Sequence, residues 1–117
     1  SSDCAVKKGK NFVDIHILIN PPGYSRDRVL NLLCDGVTGN SYCSAVLLKL
    51  DFLETGNFRD SAIKHIKRVR LEKISQDTAD LVWPGNHIHI DKLSGNVIWK
   101  ANGKTSKASC IKNKKIR

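Results

Sequence analysis

The chain has 117 residues, 40% of them hydrophobic, which is enough for one domain with a core and too few for a comfortable second domain. No apolar run approaches the roughly 20 residues that a membrane-spanning helix needs, so we expect no membrane association. Twenty Lys and Arg residues against eleven Asp and Glu give a net charge of +9, which favours polyanionic partners. We expect a single domain over residues 1–111 and a mobile basic tail over 112–117.

The first predicted elements are a strand, a helix and a second strand. Residues 12–19 (FVDIHILI) alternate apolar and polar side chains, which is typical of a strand with one buried face. In residues 25–36 (SRDRVLNLLCDG), the apolar side chains of Val29, Leu30, Leu33 and Cys34 recur at helical spacing between a capping serine and a terminating glycine, which predicts a helix with these residues on its buried face. The alternation returns in residues 43–52 (CSAVLLKLDF), which predicts a strand.

The second half of the chain favours further strands. Residues 62–74 (AIKHIKRVRLEKI) fit a short helix or a strand, and we favour a strand over their second half. A polar loop (SQDTAD) and a Trp-Pro-Gly break come next, followed by the strand-like runs IHI and NVIWK and a last strand that contains Cys110. The Asn102-Gly103 pair predicts a tight hairpin turn before that last strand. These elements predict an α+β fold in which one helix packs on a twisted antiparallel sheet.

Four cysteines show no zinc-finger spacing, so we expect no metal framework and no cofactor. Their even number fits two disulfides, with three possible pairings. Cys4 and Cys110, at opposite ends, are expected to form a bond that closes nearly the whole chain. Cys34 and Cys43 could pair across the intervening turn or remain buried thiols. The chain opens at Ser1 without a basic-then-apolar leader, so we expect a processed, secreted product.

The positive charge is concentrated in the second half of the chain. Residues 61–117 hold thirteen Lys and Arg against four Asp and Glu, whereas residues 1–60 hold seven of each. A surface of this kind attracts nucleic acid, although basic surfaces also serve solubility. Aromatic planes among the cations (Tyr24, Tyr42, Trp83 and Trp99) could stack on unpaired bases, or simply fill the core.

Two histidines one residue apart, His87 and His89, fall on one face of a predicted strand. They could ligate zinc if His65 or His16 supplied a third nitrogen, but no spacing fixes that ligand, and we expect no metal. Alternatively, His87 and His89 with Glu72 and Lys100 contain the residue types that cut RNA through its 2′-hydroxyl. Residue types alone do not establish that geometry.

The order of the elements and the segment NHIHIDKLSGNVIWKANGKTSKASC, residues 86–110, resemble the small fungal guanyl-preferring ribonucleases. They look more like the ribonuclease-like effectors that powdery mildew fungi secrete into plant cells. The likeness covers about residues 25–111. Where those effectors usually begin Tyr-x-Cys, this chain reads Ser-Asp-Cys.

This resemblance implies a pseudo-ribonuclease. The position of the ribonuclease catalytic histidine holds Trp99 and Lys100, and lysine holds its proton too tightly at neutral pH to replace a general acid. The catalytic glutamate would fall around Val69 or Arg70, with Glu72 slightly displaced. We therefore expect no catalytic residues, and an active secreted ribonuclease or toxin is the alternative.

The function expected is that of a secreted, non-catalytic, monomeric effector inside the host cell. It would bind RNA, ribonucleoprotein or a host protein, and a plant immune receptor could recognise it. A protein-binding module without RNA affinity is a second alternative. The residues expected to contact RNA are Lys64, Lys67, Arg68, Arg70, His87, Trp99, Lys100, Lys104 and Lys107.

Overall fold

The computed structural model describes residues 5–21, 23–37 and 40–110. Within these ranges the chain forms nine strands and two short helices. The strands are β1 Ala5–Lys8, β2 Val13–Ile19, β3 Arg28–Cys34, β4 Ser41–Leu48, β5 Ala62–Ile74, β6 Thr78–Trp83, β7 Asn86–Asp91, β8 Asn96–Ala101 and β9 Lys104–Cys110. The helices, α1 Phe52–Thr55 and α2 Phe58–Ser61, lie between β4 and β5. Neither helix has the length and apolar character that crossing a membrane requires.

The strands from β2 to β9 form a closed antiparallel barrel. Each strand pairs with the next one along the chain, and β9 pairs back with β2 at Ile17–Cys110 and Leu18–Ser109. This last pairing joins the two edges of the sheet, so that eight strands close on themselves. The short β1 pairs with the first half of β2 and extends the sheet beside the seam.

Alternating side chains of the eight strands fill the barrel interior. On β2, the four apolar side chains predicted to share a face are all buried. The same alternation places Leu30 and Leu32 of β3 and Ile88 and Ile90 of β7 in one continuous core. An eight-stranded barrel has an interior just wide enough for side chains to fill, which accounts for the density of Ile, Leu and Val here.

A second, smaller apolar cluster lies outside the barrel, beneath the helices. Val29, Val46 and Leu48 face outward from β3 and β4 and are nevertheless buried, because Phe52 and Leu53 of α1 pack over them. Asn57 caps α2, where its side-chain oxygen accepts a hydrogen bond from the backbone N–H of Asp60 at 3.1 Å. The two helices therefore act as a cover for one side of the barrel.

The helix predicted for residues 25–36 is wrong, because this segment contains strand β3. Leu30, Leu32 and Cys34 alternate into the barrel interior, while Leu33, predicted to be on the buried face of the helix, is 51% exposed. The apolar residues of this segment fit helical spacing because Val29, on the outer face of β3, is also apolar. Val29 is buried there by the smaller apolar cluster beneath the helices. Pairing with strands on both sides determined the conformation more than local capping signals did.

The predicted fold class, α+β with one helix on a sheet as in the ribonucleases, is consequently also wrong. The chain is mostly β, and its helices amount to two single turns on the outside of a closed barrel. The physical reason is that β3 occupies the place of the predicted helix, and the sheet that it helps to form closes on itself and fills the core with its own side chains. The layout expected from the ribonuclease resemblance is thus not present.

Several other predicted elements are confirmed. Residues 12–19 contain β2, and β5 extends over all of residues 62–74. The strand predicted over residues 43–52 is confirmed in part, because β4 begins at Ser41 and ends at Leu48, and Phe52 begins α1. The Asn102-Gly103 turn joins β8 to β9, with both residues at positive φ. Strands β1 and β6 were not predicted, and β6 lies where the sequence indicated a polar loop and a Trp-Pro-Gly break.

The disulfide considered between Cys34 and Cys43 is present. These residues lie directly opposite each other on β3 and β4, nine positions apart in sequence, with their Cα atoms 3.9 Å apart. The bond therefore staples the β3–β4 hairpin from inside the barrel. The other predicted bond, between Cys4 and Cys110, and the predicted basic tail over 112–117 lie outside the described residues.

Candidate nucleic-acid interface

A row of outward side chains crosses five neighbouring strands in register. Tyr42 of β4 lies opposite Arg70 of β5, which lies opposite Val82 of β6; this in turn lies opposite His87 of β7, which pairs with Lys100 of β8. Since neighbouring strands are about 4.8 Å apart, this cross-strand row spans about 19 Å. It presents one aromatic side chain and three basic residue types on a single surface.

An open groove of about 410 Å³, which we call the arginine groove, lies at the β4 end of the row and is lined by Tyr42, Arg68, Arg70, Val82, Trp83 and Pro84. Tyr42 is 64% exposed, so one large aromatic surface faces solvent in the same groove as two arginines. An aromatic plane next to arginines is the combination that binds a base by stacking and its phosphate by charge. The groove therefore provides both kinds of contact.

A β-bulge on β5 shapes this groove. Between the pairs Cys43–Val69 and Ala45–Ile66, β5 has one residue more than β4. Arg68, in this extra segment, adopts a positive φ of 65°. Bulges redirect side chains and increase the local twist of a strand, which accounts for the position of Arg68 beside Arg70 in the groove.

The Arg70 guanidinium is held by two polar neighbours. It donates a hydrogen bond of 2.7 Å to the side-chain oxygen of Asn40, and it lies 3.6 Å from a carboxylate oxygen of Glu72. The ion pair with Glu72 is partly exposed, so it contributes little to stability and can yield to a phosphate. These contacts orient the guanidinium while leaving it accessible.

Next to the row, two histidines converge on one carboxylate. The Nε2 atom of His87 and the Nδ1 atom of His89 each donate a hydrogen bond of 2.8 Å to the same Asp80 oxygen, Oδ1. His89 is the direct cross-strand partner of Asp80, and His87 lies diagonally from it on the same face. Asp80 is mostly covered, whereas both histidines are partly exposed.

The electrostatics of this cluster favour a charged carboxylate. Burial by itself would raise the pKa of the Asp80 carboxyl, but the hydrogen bonds and positive charge of His89 and His87 hold that pKa below its ordinary value. Asp80 therefore stays ionised and fixes both imidazole rings. We call these three residues the histidine clamp.

The histidine clamp has the residue types of acid–base chemistry, because each ring keeps one nitrogen that Asp80 does not occupy. The alternative catalytic set is only partly brought together. His87, His89 and Lys100 lie on neighbouring strands, whereas Glu72 lies on β5 and pairs with Arg70. Within the described ranges, no three His, Cys, Asp or Glu side chains are placed to hold a metal ion.

The predicted RNA-contacting residues fall in different places. Arg68, Arg70, His87 and Lys100 belong to the outward surface described above, and with His89 they form what we call the cationic face. Lys67 is exposed in the β5 bulge, and Lys104 is exposed at the start of β9. Lys107 lies opposite Ile98 in the β8–β9 register.

Two of the predicted RNA-contacting residues belong to the opposite surface of the sheet. Trp99 is only 5% exposed and faces the barrel interior. Lys64 lies opposite the inward-facing Leu47 at one end of the barrel. These two residues are therefore separated from the cationic face by the thickness of the sheet.

Asp80 was not identified from sequence, although a usable signal was present. The Pro84-Gly85 turn pairs Trp83 with Asn86, and counting outward from that pair sets Asp80 opposite His89. The segment SQDTAD was instead assigned to a loop because it is polar, and its last residue is Asp80. Assigning a strand on the amino-terminal side of the turn would have revealed the histidine clamp.

No protein-family model, curated protein or solved structure matches this chain.

Proposed function

We propose that this protein is a non-catalytic binding module for single-stranded RNA, which it contacts through the cationic face and the arginine groove. The observation that carries the proposal is the cross-strand row, in which Tyr42, Arg70, Val82, His87 and Lys100 follow one another in register across the sheet. A row about 19 Å long, with an exposed aromatic side chain at one end and basic residues along it, suits a flexible strand of phosphates and bases.

Single strands fit this surface better than a duplex. The face is the convex outside of a barrel, and among the described residues it has no protruding helix that could enter a major groove. An exposed tyrosine can stack only on a base that is not already stacked within a helix. The proposal therefore predicts a preference for unstructured RNA over double-stranded RNA of equal length.

The predicted role as a secreted effector also remains a proposal. The Cys34–Cys43 disulfide supports maturation in an oxidising compartment. Action inside a host cell and recognition by a plant immune receptor stay predictions, as does the monomeric state. Because the expected ribonuclease layout is absent, the RNA-binding proposal rests on the cationic face alone.

The test is an anisotropy titration of a labelled single-stranded RNA at several salt concentrations. For single strands, each phosphate contact contributes about 0.7 to the slope of log affinity against log salt. The Arg68→Gln/Arg70→Gln variant should therefore reduce the slope by about 1.4. The matched control, Arg59→Gln/Lys10→Gln, removes the same charge from exposed residues of α2 and the β1–β2 connection and should keep the wild-type slope.

Two results would contradict the proposal. A salt-independent affinity would indicate that the charge serves only solubility and that the partner is a protein. An equal loss of slope in the control variant would show that net charge matters and that the cationic face does not. The same samples, analysed on a denaturing gel, should contain intact RNA, whereas cleavage that His87→Ala abolishes would establish the ribonuclease alternative.

A further inference from the structure

A cavity of about 240 Å³ opens at one end of the barrel. This end, the barrel mouth, is where the connections β2–β3, β4–β5, β6–β7 and β8–β9 lie. The cavity is lined mainly by aromatic and polar side chains: Tyr24, Lys64, Trp83, Asn86, Trp99 and Asn102. Mouths of β-barrels are frequent ligand sites, and pockets for drug-sized molecules measure about 300 to 1,000 Å³. This cavity therefore suits a smaller, planar molecule.

The aromatic walls are fixed in place. Trp99 donates a hydrogen bond of 2.9 Å from Nε1 to the side-chain oxygen of Asn86, and Trp83 packs edge-on against Trp99 at 5.5 Å between ring centroids. The guanidinium of Arg28 lies over the Tyr24 ring at 5.5 Å. Rings held in this way can stack on a ligand with little loss of side-chain entropy.

The polar groups indicate the chemistry of the occupant. Lys64 is exposed at the rim and makes no ion pair with the described residues. Asn102, also at the rim, offers an amide whose side chain has no hydrogen-bond partner within the described part of the chain. A purely hydrocarbon ligand would cover these groups without pairing them, which is unfavourable. A planar heterocycle with hydrogen-bonding edges and an attached phosphate would satisfy the amide, the aromatic walls and the lysine.

The cavity and the arginine groove are neighbours, because Trp83 borders both. Lys64, Arg68 and Arg70 follow one another along β5, from the barrel mouth to the groove. A strand whose phosphates contact the groove arginines would thus have an adjacent base within reach of the mouth.

We infer that the barrel-mouth cavity takes one unpaired nucleobase of the bound RNA strand. Tyr24 and Trp83 are the stacking surfaces, and Lys64 contacts the phosphate next to that base. This inference rests on the proposed function and adds a second base-binding site, at the barrel mouth, to the one that Tyr42 provides in the arginine groove.

Intrinsic fluorescence provides a direct test, because both tryptophans of the chain line this cavity. The probes are a short single-stranded RNA, an abasic strand of equal length and charge, and a free nucleoside monophosphate. The base-bearing RNA should quench the emission and bind about tenfold more tightly than the abasic strand. The monophosphate should quench only at much higher concentration, because it does not reach the groove arginines.

Two variants locate the effect. Lys64→Gln and Tyr24→Leu should each reduce the tenfold advantage of base-bearing RNA, while the control Lys10→Gln keeps it. Lys64 is exposed, so its replacement does not endanger the fold if Tyr24→Leu proves unstable.

The outcomes separate this inference from the proposed function. If the base-bearing RNA binds with the expected salt dependence but the emission stays constant and the Lys64 and Tyr24 variants bind like the wild type, the cavity site is overturned and the cationic face stands. If neither strand binds, both proposals are overturned, even where the monophosphate quenches. Quenching by the monophosphate at the same concentration as RNA would also contradict the inference. It would show that binding of the base in the cavity gains nothing from the contacts of the strand with the groove arginines.

Discussion

His89 lies directly opposite Asp80 across the β6–β7 pair, and its Nδ1 donates a hydrogen bond of 2.8 Å to the Asp80 carboxylate. His87, two residues earlier on β7, donates to the same oxygen. Because all three residues belong to paired strands, the sheet register, and not a loop, fixes the clamp. The positions of two histidines on the cationic face therefore depend on one acid.

Replacing Asp80 should destabilise the fold in a pH-dependent way. The pKa of Asp80 is lower in the folded protein than the ordinary value of about 3.9 expected in the unfolded chain. Its charge therefore stabilises the fold fully above that value, and this contribution disappears as the pH falls through the lower, folded pKa. Asp80→Asn should cost about 1 kcal/mol at pH 7 and almost nothing at the acidic end.

Urea unfolding of Asp80→Asn and the wild type across the acidic range measures this difference. Asp27→Asn, in the exposed connection between β2 and β3, is the reference for removing a surface carboxylate. A penalty for Asp80→Asn that stays constant down to the lowest pH would contradict the role of the Asp80 charge.

Replacing both histidines of the clamp should weaken RNA binding. His87 and His89 share their face with Arg70 and Lys100. Their rings are held by hydrogen bonds to Asp80, so they present fixed polar edges to a bound strand. We expect His87→Gln/His89→Gln to lower the affinity roughly tenfold, or by about 1.4 kcal/mol.

The affinity is measured by anisotropy at constant pH and salt. His16→Gln, on β2, is the matched control and should keep the wild-type affinity. An affinity of the double variant equal to that of the wild type would exclude the two histidines from the RNA-binding surface.

The barrel register predicts opposite outcomes for two adjacent leucines. Leu32 is 1% exposed and faces the core, so Leu32→Ala should lower the free energy of unfolding by about 2 to 4 kcal/mol. Leu33 faces solvent, so Leu33→Ala should change it by no more than about 0.5 kcal/mol. A helix over residues 25–36 would make Leu33 the costly position, and chemical denaturation distinguishes the two cases.

These leucines also show how far the sequence determined the fold. Strict alternation on β2 and the Asn102-Gly103 turn were sufficient to predict β2 and the β8–β9 hairpin, because those signals are local. β3 was mistaken for a helix because the outer cluster buries Val29, so apolar residues occur on both of its faces. This pattern is explained by α1, which lies more than twenty residues later in the chain and packs over Val29. A rule that considers only neighbouring residues cannot predict such a contact.

The candidate site was predictable to a similar extent. The basic residue types of β5 and the paired histidines were evident from the sequence. That they share one surface with Tyr42 and Lys100 follows only from the register of five strands, and this register depends on bulges and turns. Trp99 and Lys64 were predicted to contact RNA together with the residues of the cationic face, yet both line the cavity at the barrel mouth. Neither the assignment of a strand nor the charge of a residue reveals which face of a barrel its side chain occupies.

Removing the Cys34–Cys43 bond should lower stability measurably. By loop-closure entropy, a bond between residues nine positions apart contributes about 2.5 kcal/mol. The Cys34→Ala/Cys43→Ala variant should therefore unfold at a lower denaturant concentration while keeping its far-ultraviolet circular dichroism spectrum. A stability equal to that of the wild type would indicate that the two strands pair as firmly without the bond.

Amide chemical-shift mapping with a short single-stranded RNA would locate the RNA-binding surface residue by residue. If RNA binds the outward face of β4–β8, the largest shifts should fall on Tyr42, Arg68, Arg70, His87 and Lys100, while the amides of α1 and α2 remain unchanged. Shifts concentrated on the two helices, or no shifts at low salt, would contradict binding at this face.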